Sequence, residues 1–150
     1  MELKMYEVAP PKDLHVVVPA GKYVLGDPCY SVPDEDWHTL LESCEYFEKP
    51  IGTVNGVQVL AFRTMYGDGE YKDNMGNKYG VDAGLIGLVP LEYADLTQIN
   101  WGKEGPVIVE FKRDTHCYMH DESGMLEFGA YKIPTGNDAY EYNTYEEEEE

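Results

Sequence analysis

Apolar and polar positions alternate over short stretches for most of this chain, and the pattern turns helical once. "LHVVVPAGKYVLG" reads as two short strands, Leu14 to Val18 and Lys22 to Gly26, joined at Pro19-Ala20-Gly21. The helical stretch runs from Asp34 to Phe47. Trp37, Leu40, Leu41, Cys44 and Phe47 recur at offsets of three, four, seven and ten, which is one helical face. Pro33 precedes it, and Asp34, Glu35 and Asp36 crowd the first turn, where the helix dipole favours anions. Cys44 should then point into the core with Leu40 and Leu41.

From Ile51 the period returns to that of a sheet. Asn55-Gly56 between Val54 and Val57 predicts a two-residue hairpin turn. "GEYKDNMGNKYGV" predicts a second hairpin, with Asp73 to Asn77 as its turn. "GLIGLVPL" is almost wholly apolar, so it belongs in the middle of a sheet with both faces covered. "PLEYADLTQ" reads as a turn or a short helix. "VIVEFKR", "THCYMH" and "LEFGAYKI" supply further short strands, with Asp121 to Gly124 as a turn. The expected fold is α+β: a mostly antiparallel sheet, as a sandwich or partly open barrel, with one amphipathic helix. It forms a single domain over residues 1–137, followed by a tail.

That tail changes character. From Asp138 onward there are seven acids and no bases, ending in the run Glu146 to Glu150. Like charges in a block repel and do not pack, so residues 138–150 are expected to be a disordered, solvated tail.

At 150 residues, with 43% apolar and 13% aromatic content, the chain can bury a real core. The charge narrows the choice of partner. There are 11 basic and 29 acidic residues, a formal −18, and setting aside the seven tail acids still leaves 22 against 11, about −11. No long basic cluster is available for a phosphate backbone or an anionic membrane. Protein partners with a basic surface match better, and direct nucleic-acid or membrane binding is not expected. The first residues show no secretory pattern, and no apolar run approaches the ~20 residues of a membrane span. Cys29, Cys44 and Cys117 are irregularly spaced, which suggests reduced thiols in a cytoplasm rather than a disulfide framework.

Candidate chemistry centres on "GDPCY". A strand followed by Asp27-Pro28-Cys29 and then a helix is a place for a nucleophile. A thiolate needs a base, and His15, His38, His116 and His120 are the available ones. The acidic helix start and Asp27 itself would raise a neighbouring thiol's pKa. The plainer reading is a tight turn in which Asp27 bonds to backbone amides and Cys29 is a small buried side chain.

Asp68, Glu70, Asp73 and Asp82 lie in or near glycine-rich turns and could offer oxygens to calcium. Their spacing does not follow the D-x-[DN]-x-[DN]-G loop. On a strand, His116 and His120 share a face but stand ~13 Å apart, too far for one zinc ion. There is no phosphate loop, no dinucleotide fingerprint and no G-x-S-x-G elbow, and no cofactor is expected. In the tail, Tyr140, Glu141, Tyr142, Tyr145, Glu146, Glu147 and Glu148 interleave aromatic anchors with carboxylates. Such a segment could fold onto a basic groove, or it could simply keep the protein soluble.

Three motifs carry a resemblance: Gly26-Asp27-Pro28-Cys29-Tyr30, Gly67-Asp68-Gly69, and Val81-Asp82-Ala83-Gly84-Leu85-Ile86-Gly87. With them the chain resembles a loosely defined group of small, mostly uncharacterised proteins from bacteriophages and bacteria, over residues 20–90. The resemblance implies a phage or prophage accessory product, acting in the host cytoplasm, with a compact β-rich fold. It carries no catalytic residues over. The expectation is a non-enzymatic protein that modulates a host or phage protein through its acidic surface, as a nucleic-acid mimic or counter-defence inhibitor. The rival is a small hydrolase or metal-dependent enzyme using Asp27, Cys29, Asp68 and Asp82, and a third reading is a virion or assembly component.

Overall fold

The computed structural model describes residues 4–8, 13–99 and 105–136. The proposed tail, with Tyr140, Glu141, Tyr142, Tyr145 and Glu146 to Glu148, lies outside them, as does the boundary at residue 137.

Among the described residues, twelve strands and one α-helix build three layers. The strands are β1 (Tyr6–Val8), β2 (Leu14–Val18), β3 (Gly21–Gly26), β4 (Ile51–Val54), β5 (Val57–Arg63), β6 (Gly69–Lys72), β7 (Lys78–Val81), β8 (Leu85–Pro90), β9 (Val107–Phe111), β10 (Thr115–Met119), β11 (Met125–Phe128) and β12 (Tyr131–Pro134). The helix α1 spans Asp34–Ser43. One sheet has the order β1-β2-β10-β11-β12 and the other β4-β5-β8-β3-β9, while β6 and β7 form a separate hairpin. Every pairing is antiparallel. The α+β expectation holds, in its sandwich form.

Alternation along the strands explains the layering. In β5, Leu60 and Phe62 join the core between the sheets, while Val59 and Ala61 turn to the opposite face. The central strand β8 does the same, with Ile86 and Leu88 on one side and Leu85 and Val89 on the other. Both faces of β8 are therefore covered, as its unbroken apolar run predicts. From the first sheet, Val16, Val18, Cys117, Leu126, Phe128 and Ile133 fill the inter-sheet core. The second core lies under α1, where Leu40, Cys44 and Phe47 meet Val24, Val54, Val59 and Val89.

Gly52 on β4 lets the helix close down. A Cβ there would lie 2.7 Å from Leu40 Cδ1, 3.1 Å from Cys44 Sγ and 3.3 Å from the Phe47 ring.

The helix stops earlier than its apolar spacing predicts. It ends at Ser43, and Glu45, Tyr46 and Phe47 are left-handed, with φ of 55°, 58° and 61°. The Tyr46 N–H closes the helix end on the Leu41 carbonyl at 2.7 Å. Phe47 still reaches the core at 3% exposure, through a turn rather than a further helical turn. The apolar spacing records which residues are buried, and a left-handed turn satisfies it as well as a helix does.

Three other differences concern strands and their partners. The strands β2 and β3 follow one another but belong to different sheets, so Pro19-Ala20 is a crossing between layers. "LEFGAYKI" is a hairpin of β11 and β12, turning at Gly129-Ala130. β1 adds an edge strand that the sequence pattern did not indicate. Pro90 closes β8 and the rest of "PLEYADLTQ" is a series of turns, the first of its two expected forms. The Asn55-Gly56 hairpin is as predicted, with both residues at positive φ (52° and 75°), as a type I′ turn requires.

Candidate functional site

Asp27 sits where β3 ends, and it is 1% exposed. Pro28 opens a single 3-10 turn over Pro28–Tyr30, with Asp27 as its N-cap. Asp27 Oδ1 accepts the Cys29 N–H at 3.0 Å. Its Oδ2 accepts the N–H groups of Asp82 (2.8 Å) and Ala83 (2.7 Å) from the turn between β7 and β8. One carboxylate thus ties two turns that lie 55 residues apart. Burial pushes the Asp27 carboxyl above its ordinary pKa, and the backbone donors oppose that shift.

Cys29 is half-buried beside this carboxylate. Burial first, then the charges of Asp27 and Asp82, hold its thiol far above the ordinary value. That is the reverse of what an attacking thiolate needs. Tyr30, three residues after the cap, donates its hydroxyl to Asp82 Oδ2, and burial with that bond raises the phenol too. Asp68 approaches from the third glycine-rich turn, its Oδ1 3.9 Å from the point where a Cβ on Gly84 would lie. The Asp68 turn abuts the β7–β8 turn at Gly84, and the N–H groups of Cys29, Asp82 and Ala83 make a clip of backbone amides around Asp27.

Glu70 and Asp73 belong to the neighbouring hairpin. Asp73 is fully buried. Its Oδ1 accepts the backbone N–H groups of Met75 (2.8 Å) and Asn77 (2.9 Å), and its Oδ2 accepts from Asn77 Nδ2 (2.9 Å) and Tyr79 Oη (2.7 Å). It organises the β6–β7 turn from within. The next residue, Asn74, docks that turn on the edge of β12, donating to Ala130 O (3.0 Å) and accepting the Lys132 N–H (2.8 Å). Glu70 is exposed on β6. Among the described residues, no group of three or more His, Cys, Asp or Glu is placed to hold a metal ion.

An arrangement the sequence reading missed lies on the outer face of the first sheet. Tyr118 stands directly across from His15 and, on its other side, from Glu127. Its ring stacks on His15 at 4.3 Å and on His120 at 5.8 Å. His15 Nε2 lies 2.7 Å from His116 Nδ1. His120 Nδ1 is 3.0 Å from Asp13 Oδ2, and its Nε2 bonds to Glu127 Oε2. The alternation His116, Tyr118, His120 is plain in the sequence, but the strand beside it is not. The pairing of β10 with β2, about a hundred residues away, creates the row.

A shallow cleft between Ala20–Tyr23 and Pro90–Glu92 includes none of Asp27, Cys29, Asp68 and Asp82. No helix among the described residues is long and apolar enough to cross a membrane.

Fold and site together define an antiparallel β-sandwich with one helix on its outer face and a carboxylate clip joining two turns. No protein-family model, curated protein or solved structure significantly matches the chain.

Proposed function

We propose that this is a non-enzymatic, phage-encoded accessory protein that acts in the host cytoplasm by binding a protein partner with a basic surface. The observation that carries the reading is the −18 formal charge, with 29 acids against 11 bases. Carboxylate clusters can imitate phosphate spacing on a basic groove, and long-range charge steers such an encounter. Inhibition of a DNA-binding host enzyme by charge mimicry is its concrete form, with Tyr140, Tyr142 and Tyr145 as anchors among Glu141 and Glu146 to Glu148. The engagement of Asp27 by backbone donors and the raised Cys29 pKa are consistent with a binding role.

The test is capture of partners from host lysate at low salt, followed by competition with duplex DNA. Specific capture that weakens as salt rises, and that DNA displaces, is the expected outcome. Capture of nothing at low salt, or of partners that DNA leaves in place, would sink the mimicry reading.

A second reading draws on the meeting of the three turns. In it Asp27, Cys29, Asp68 and Asp82 serve a small hydrolase or a metal-dependent enzyme. It requires a thiolate where neighbouring carboxylates oppose one, or a metal bound by Asp68 and Asp82 with further ligands. Calcium or manganese titration, followed through the amide resonances of Asp68 and Asp82, separates the two readings.

A further inference from the structure

We propose that the outer face of β2, β10 and β11 is a proton-responsive face, in which a neutral His15–His116 pair and a cationic His120 between two carboxylates are both intact only near neutral pH.

The geometry of the pair fixes its protonation. Two imidazole nitrogens 2.7 Å apart must share a proton, one donating and the other accepting. The ring centroids are 5.0 Å apart, about as far as that contact allows, so the rings point at each other end on. An end-on pair forms one N–H···N bond. It does not aim both lone pairs at a common third point, as a shared metal ion requires. A second proton would put a donor against a donor and two cations side by side.

At the other end the logic reverses. His120 faces Asp13 through Nδ1 and Glu127 through Nε2, and only imidazolium can donate from both nitrogens. When it loses its proton, one carboxylate faces a lone pair. Asp13 also accepts the Asp121 N–H at 3.0 Å, so it fastens the start of β2 to the end of β10. Tyr118 stacks between the two ends and holds them in one row.

The other groups near the row are few among the described residues. Lys132 on β12 is opposite Glu127, Val8 on β1 is opposite His15, and Tyr6 on β1 is opposite Val17. Asp121 and Glu122 are exposed in the turn after β10. Burial and then His116 lower the His15 pKa, whereas the bonds to Glu127 and Asp13 raise that of His120 despite partial burial.

The signs follow from linkage. The neutral pair stabilises the fold above the ordinary histidine value of about 6.5, and that contribution is lost as pH falls through the lowered His15 value. The His120 bonds are fully present below about 6.5 and are lost as pH rises through the raised His120 value. Acid therefore opens the β2–β10 contact and adds positive charge to this face of an acidic protein. Base loosens the Asp13 tether instead.

The test is an NMR titration of the imidazole resonances in the full chain, together with thermal unfolding against pH, for the wild type, His116→Ala, His120→Gln and Glu127→Gln. The His15 midpoint should lie below that of a histidine in an unstructured peptide and move up in His116→Ala. The His120 midpoint should lie above that reference and move down in Glu127→Gln. The acid limb of the unfolding profile should flatten in His116→Ala, and the alkaline limb in His120→Gln. Titration of His15 and His120 at one ordinary midpoint overturns the proposal, as does a His15 midpoint indifferent to His116→Ala. Saturation of the His15 and His116 resonances by micromolar zinc or nickel at neutral pH also overturns it, in favour of a metal site.

Discussion

Asp27 Oδ2 holds the backbone N–H groups of Asp82 and Ala83 at 2.8 and 2.7 Å, and this one oxygen joins the end of β3 to the turn that opens β8. The two strands are already paired, Gly26 opposite Gly87, so the clip locks the register at the end of that ladder. Replacement by alanine takes the acceptor, itself 1% exposed, away from three part-buried N–H donors. A fully buried orphan costs about 1–3 kcal/mol, and these part-buried ones fall toward the lower end of that range. Asp27→Ala should therefore lose several kcal/mol of stability, with Asp27→Asn losing less because its one oxygen still accepts. Denaturant titration of both variants checks the order, and equal stability to wild type would refute the clip.

Thiol chemistry gives a second prediction. Cys44 and Cys117 are fully buried, and Cys29 is half-buried beside Asp27. With its pKa raised by burial and by Asp27, Cys29 should stay a thiol well past pH 9. Alkylation of the native protein should be slow throughout pH 7 to about 9, its rate still climbing with pH at the top of that range, where a free thiol titrating near 8.5 is already levelling off. Denaturation should release all three cysteines to rapid reaction. Fast native labelling at Cys29 near pH 7 would revive the nucleophile.

The hairpin β6–β7 turns on Asp73. Tyr79 donates to it at 2.7 Å with 1% exposure. Tyr79→Phe removes a donor to a buried carboxylate and should cost about 1.5–3 kcal/mol, the range for bonds to charged groups. Amide exchange in residues 73–77 should quicken in the variant, while that of β8 should change little.

Gly52→Ala tests the fit of helix to sheet. Its Cβ would stand 2.7 Å from Leu40 Cδ1, so the helix must shift or Leu40 must leave its rotamer. Overpacking of this kind costs about 1–3 kcal/mol. A control at the exposed Gly56 would be uninformative because of its positive φ, so Thr53→Ala, exposed on the same strand, is the better reference.

Much of the fold was legible along the chain, because strand and hairpin signals are local. The Asn55-Gly56 turn, the Asp73 to Asn77 turn and the buried run of β8 each depend on a few adjacent residues. The clip is half legible in the sequence: an Asp before Pro in a turn signals bonding to backbone amides, the plainer of the two roles open to Asp27. What the sequence does not reveal is that two of the three donors come from Asp82 and Ala83. The helix end is hidden for a related reason, since burial spacing does not distinguish a helical turn from the left-handed residues 45–47.

By itself, then, the sequence determined the class of the fold, the places of most strands and turns, and a strongly acidic charge. Beyond the hairpins, the tertiary structure alone decided which strands are neighbours. That choice sent β2 and β3 to different sheets, set His15 beside His116 and Tyr118, and brought Asp27 to the turn before β8. Propensity and alternation act over a few residues, whereas these contacts span fifty to a hundred. They follow from how two sheets and a helix share two cores, a property of the whole chain.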